Sequence, residues 1–152
     1  MILSKSFTLN ELTKSQEATR LGIDNTPNEE QIQNLKILCE KILQPIRDFY
    51  GMPLSVSSGY RSVALCEAIG SSSKSQHTKG QAADFEIFGV ANKDIAEFIV
   101  KNLEYDQCIL EFWNENEPNS GWVHCSYSVN NNRKQYLKAE KLNGRIVYTV
   151  LD

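Results

Sequence analysis

The chain has 152 residues, 41% hydrophobic and 23% charged, with a net charge of −3 and a pI near 5.5. That length supports one hydrophobic core and is short for two, so a single domain over residues 1–152 is expected. No basic patch offers a grip on nucleic acid or on an anionic membrane surface, and no apolar run approaches the length of a membrane-spanning helix.

The first eight residues lack the apolar stretch and small-residue cleavage site of a signal peptide, so a protein cytoplasmic as synthesised is expected. A polar helix is expected over residues 10–20, then a loop over 22–25. Thr26-Pro27-Asn28-Glu29 reads as a helix start, with Thr26 as N-cap, Pro27 in the first turn and Glu29 closing a capping box. Behind it Ile32, Leu35, Leu38, Ile42, Ile46 and Phe49 recur at three- and four-residue steps, the pattern of a helix with one apolar face. Pro45 is expected to kink or end it.

Residues 54–58 alternate as a short strand, 63–69 form a short helix, and 70–79 are a Ser/Lys/Gly loop. Residues 81–87 alternate again. Asn92 opens a helix carrying Ile95, Ala96, Ile99, Val100 and Leu103. Strands at 107–113 and 121–127 flank a polar loop, and a terminal pair around 141–150 turns at Asn143-Gly144. Helices followed by an antiparallel sheet with one intervening helix define an α+β fold, with the helices packed against the sheet. The cysteines Cys39, Cys66, Cys108 and Cys125 show no C-x-x-C pair and read as reduced, structural thiols.

The chain contains only two histidines, His77 and His124. A catalytic zinc takes three protein ligands from histidine nitrogen and carboxylate oxygen, leaving a fourth position for water. His77, Asp84 and His124 supply such a set for one ion. A histidine and an aspartate seven apart are not specific alone, and a loop histidine beside a surface aspartate is the plain alternative.

The surrounding residues resemble a known family. Ser75-Gln76-His77-Thr78-Lys79-Gly80-Gln81-Ala82-Ala83-Asp84 matches S-x-H-x-x-G-x-A-x-D, Trp122-Val123-His124 matches its last strand, and Ser58-Gly59-Tyr60-Arg61-Ser62 matches a segment upstream. Over residues 7–127 the chain resembles the M15 zinc peptidases, the D-Ala-D-Ala carboxypeptidase and L-Ala-D-Glu endopeptidase type, and most of all their compact phage, prophage and bacterial members. The resemblance implies His77, Asp84 and His124 as zinc ligands. It implies Arg61 beside the substrate's carboxylate or the carbonyl under attack, for which a guanidinium is suited. The alternative for Arg61 is a structural arginine bonding loop carbonyls. Ser75 orients substrate or the His77 loop, or is a simple turn serine.

Well-known members carry a glutamate three residues before the last histidine, and here that position is Gly121. Glu111, Glu115 and Glu117 are the candidates for a general base. A hairpin centred near Glu117-Pro118 would set Glu111 opposite His124 on the same face, in an apolar run that raises its pKa into a useful range. Glu115 and Glu117 read as solvated loop charges. Asp106 and Gln107 support the site or simply open the strand. Trp113 and Trp122 line a groove or pack in the core, and residues 130–134 read as a solvated loop.

The reading is a zinc peptidase that hydrolyses D-amino-acid-containing bonds of peptidoglycan stem peptides, in the setting of phage or prophage lysis, with Glu111 and Arg61 as catalytic residues and Arg61 and Ser75 binding substrate. Such an enzyme is expected to act on the cell wall after release. The rival is a non-catalytic zinc-binding module of the same fold. A cytoplasmic dipeptidase acting on free peptides is a third reading. Nothing in the sequence marks a partner face or an oligomeric state.

Overall fold

The computed structural model describes residues 1–151. It opens with a two-stranded ribbon, β1 (Ile2–Ser4) and β2 (Phe7–Thr8), and two short helices, α1 (Leu9–Thr13) and α2 (Gln16–Leu21). The one helix expected over 10–20 is divided because Lys14 and Ser15 are extended and the Ser15 hydroxyl accepts from Ala18 N, capping a new start.

Helix α3 (Glu29–Leu38) is capped by Asn28, two residues beyond the expected cap. Asn28 accepts from Gln31 N and the Gln31 side chain accepts from Asn28 N, both at 2.8 Å, so the capping box belongs to this pair rather than to Thr26 and Glu29. Pro45 does not end the helix. A π-turn over Cys39–Leu43 lets Gln44 N reach Cys39 O, and α4 (Gln44–Tyr50) continues with Pro45 in its first turn. The wider turn absorbs the missing donor and the ring clash that proline brings. Leu35, Leu38, Ile42 and Ile46 are fully buried, whereas Phe49 lies beyond the core and is exposed, its ring 4.3 Å from that of Phe98.

There follow β3 (Ser55–Ser58), α5 (Val63–Ala68), β4 (Ala82–Glu86), α6 (Asn92–Asn102), β5 (Gln107–Glu111), β6 (Trp122–Ser126), β7 (Gln135–Leu142) and β8 (Arg145–Val150). Asn143 and Gly144 turn the last hairpin with φ of 52° and 79°, as a two-residue turn of this kind requires. The fold is α+β, with the six strands in the order β3-β4-β6-β5-β7-β8. The sheet is mostly antiparallel; β5 and β7 are parallel. After β6 the chain crosses back to the start of β5, where Gln135 N donates to Asp106 O, so β7 runs in the same direction as β5.

Period-two alternation gives the sheet two different faces. Ala83 and Phe85, Val123 and Cys125, and Cys108 and Leu110 point into a single core shared with α3, α4 and α6. Their neighbours Asp84, His124, Ile109 and Glu111 point the other way, toward an open cleft. All four cysteines are free and buried. Among the described residues no helix is long and apolar enough to cross a membrane.

Where β5 meets β6 the backbones come very close. Gly121 has φ +66°, and a Cβ built there would lie 1.8 Å from the Glu111 carbonyl oxygen. Gly121→Ala should therefore cost about 3 kcal/mol in denaturant unfolding. Gly144→Ala, with φ also positive but open space around it, should cost about 1 kcal/mol. Equal losses would contradict the close approach.

Candidate metal centre

His77 stands in a short 3₁₀ turn, Gln76–Lys79, held from three sides. Ser75 caps the turn, its hydroxyl accepting from His77 N and its carbonyl from Thr78 Oγ1. Helix α3 steadies the far end, where Gln31 Nε2 donates to Thr78 O and Asn34 Nδ2 to Lys79 O. The 58–62 segment wraps the histidine itself: Gly59 O lies 2.6 Å from His77 Nδ1, and Arg61 N donates to His77 O at 3.1 Å. Asn25 pins that segment, donating to Tyr60 O and accepting from Ser62 N.

A carbonyl oxygen only accepts, so His77 Nδ1 carries the proton and Nε2 presents a lone pair. That Nε2 is buried and has no hydrogen-bond partner. It faces Asp84 Oδ1 at 3.5 Å. Burial holds the His77 pKa below its ordinary value, which favours the neutral ring a metal needs.

Asp84 and His124 are direct partners across β4 and β6, with His124 Nδ1 2.9 Å from Asp84 Oδ1. Burial works to raise the Asp84 carboxyl, but hydrogen bonds and charge from His124 and His77 outweigh it and hold the group well below the usual carboxylate range. The ligand atoms of His77, Asp84 and His124 all lie within 4.8 Å of one another. Zinc–ligand bonds of about 2.0–2.1 Å set tetrahedral donors roughly 3.4 Å apart, so this N,O,N set is of the right size and chemistry. The orphaned Nε2 is the atom whose burial a metal would satisfy.

In comparison with known proteins, residues 5–126 match the family described as Peptidase M15. The chain belongs to this family. A search of curated proteins finds no match. M15 proteins are zinc-dependent metallopeptidases, and membership implies a peptide substrate.

The M15 donor cluster lies in a cleft of about 530 Å³. A larger hollow of about 900 Å³ beside α1, α2 and β3 shares only Arg61 with it and holds none of the donors, so the smaller cleft is the site. Arg61 is half-buried, with Nη2 3.9 Å from Asp84 Oδ2 and Nη1 3.4 Å from Ser71 Oγ. Its side chain thus faces the cluster, whereas its backbone N–H serves the fold.

Glu111 reaches the cleft by a different register from the expected one. Ile109, not Glu111, is opposite His124, and Glu111 is opposite Trp122. The loop turns at Asn114–Glu117 rather than at Glu117-Pro118, which shifts the pairing by two residues. A shift of two keeps every side chain on its face. Burial raises the Glu111 pKa, the charge of Asp84 adds to this, and His124 and Arg61 oppose it. Glu115 and Glu117 are exposed on the loop, outside the cleft.

Three supports went unnoticed in the sequence. Arg133 sits in a stretch expected to be a solvated loop, yet its Nε and Nη2 both donate to the buried Asp106 carboxylate at 2.9 Å. Gln76 Nε2 donates to the same carboxylate at 2.9 Å, tying the residue next to His77 to the start of β5. Asn92, also buried, donates to Ser120 O and Gly121 O and so fixes the entry to β6. Trp122 lines the cleft, whereas Trp113 turns away, its Nε1 donating to Pro118 O and its ring lying under Lys93.

His77→Ala and His124→Ala should each abolish stoichiometric zinc binding and the rise in melting temperature that zinc gives the unsubstituted protein. Elemental analysis alongside thermal melts checks this. One zinc per chain retained by either variant would contradict the ligand set.

Proposed function

We propose that this chain, acting as one domain over residues 1–152, is a zinc peptidase that hydrolyses D-amino-acid-containing bonds of peptidoglycan stem peptides, as a carboxypeptidase or an endopeptidase. The observation that carries the reading is the unpartnered Nε2 of His77, buried beside Asp84 and His124 at the base of an open cleft. His77 Nε2, an Asp84 oxygen and His124 Nδ1 would hold the ion. Zinc supplies Lewis acidity toward a peptide carbonyl and lowers the pKa of water toward neutrality.

The chain's own residues divide the remaining work. Glu111, on the same face as His124 and raised by burial, takes a proton from the attacking water and delivers it to the leaving amine. Arg61 holds a carboxylate of the substrate or the charge that develops on the carbonyl oxygen. Ser75 keeps the His77 turn in place and presents its side of the cleft to substrate. The peptidoglycan assignment, and the phage or prophage lysis setting, draw their support from the S-x-H-x-x-G-x-A-x-D and Trp-Val-His motifs of the compact M15 members.

The rival reading, a non-catalytic zinc module, rests on Gly121 standing where well-known family members carry a glutamate. The close approach of Glu111 O leaves no room for any side chain at Gly121, and a half-buried carboxylate lines the cleft at Glu111. That combination favours a relocated base over a missing one.

Glu111→Gln should keep its zinc and lose at least about 100-fold in turnover of peptidoglycan fragments. Glu115→Gln and Glu117→Gln should match the unsubstituted protein. Full activity in Glu111→Gln would remove Glu111 from the mechanism.

A further inference from the structure

The β7–β8 hairpin lies wholly outside residues 5–126, the stretch that matches the family. Even so, it builds one wall of the cleft, through Ile146 and Tyr148. Strand pairing aligns the residues concerned. Trp122 is opposite Glu111, Glu111 opposite Ala139, and Ala139 opposite Tyr148, so one row crosses four strands on the metal-bearing face. Adjacent strands are about 4.8 Å apart, which places Tyr148 two spacings, roughly 10 Å, from Glu111. Between them stands Ala139, the only small side chain in the row. The phenol is near enough to Glu111 for the carboxylate's charge to add to burial in raising its pKa.

Strand β8 is also an unusual edge. Edge strands are normally guarded by charge, proline or bulges. Here Arg145 is the only charged residue, and Ile146, Val147, Tyr148 and Val150 are all exposed. Of these, Ile146 and Tyr148 stand on the metal-bearing face and line the cleft, where an apolar group of a bound substrate would cover them. At the opposite end of β5 the cleft is polar, lined by Gln76, Gln107 and the Asp106-paired Arg133.

We infer that Ile146 and Tyr148 form a specificity subsite, which receives an alkyl side chain of the substrate peptide next to the bond that Glu111 serves. The inference rests on the peptidase reading above and assigns a substrate contact that the family's matched segment does not contain. Tyr148 acts here through its ring and not its hydroxyl. Both side chains are more than half exposed, so truncating them leaves the core and the zinc ligands untouched.

The test uses the full-length zinc protein and short synthetic peptides carrying the bond cleaved in wall fragments, with glycine, alanine or leucine at the flanking positions. Tyr148→Ala and Ile146→Ala should raise KM about tenfold on the leucine peptides with kcat little changed, should leave the glycine peptides unaffected, and should retain one zinc per chain. Tyr148→Phe should behave as the unsubstituted protein. Equal KM values for all variants on all peptides would overturn the subsite and leave the peptidase reading standing. If the zinc-loaded, unsubstituted protein cleaves neither wall fragments nor peptides, the peptidase reading falls and the subsite falls with it.

Discussion

The pairing of Asp84 with His124 across β4 and β6 is the constraint on which the rest of the site depends. Side chains alternate along each strand, so this register decides at once which residues enter the core and which face the cleft. With Asp84 and His124 outward, Phe85, Val123 and Cys125 must be inward, and they are completely buried. Because β5 pairs with β6 in a compatible register, Glu111 joins the outward set. A slip of one residue in either ladder would bury a charge and expose the core together. The hydrophobic effect therefore holds the chemistry in place from the opposite face of the sheet.

His77 does not come from the sheet and has to be brought to it. The turn that carries it is tied to α3, to the segment 58–62 and, through Gln76, to Asp106 and Arg133. The Gly59 carbonyl does the chemically decisive part, since accepting from Nδ1 leaves Nε2 bare and aimed at Asp84. Gly59 can come this close to its neighbours only because it has no side chain, as a Cβ there would sit 2.3 Å from Leu12 O. A carbonyl behind a metal-facing histidine fixes both tautomer and ring orientation.

Much of this was legible in the residues. The two histidines and Asp84 stood out by scarcity and spacing, and the strands around Asp84, Glu111 and His124 showed their alternation plainly. Register was harder. The loop 112–121 turns earlier than its Glu-Pro step suggests, and only the parity of the error kept Glu111 on the correct face. Arg133 was hidden by the Asn130-Asn131-Asn132 run before it, because a polar stretch looks solvated until the buried partner, Asp106, is located in space. Pro45 misled for a similar reason: a π-turn that accommodates proline leaves no mark in the local sequence. Gly121 looked like a loss when compared with the family pattern, but it is where two backbones meet.

The most direct measurement is mass spectrometry of the fragments released from purified peptidoglycan, with the protein zinc-loaded, stripped by chelator, and then restored with zinc. New peptide termini that vanish on stripping and return with zinc are the result this account predicts, and their masses would name the bond. Zinc-loaded protein that releases nothing would contradict it.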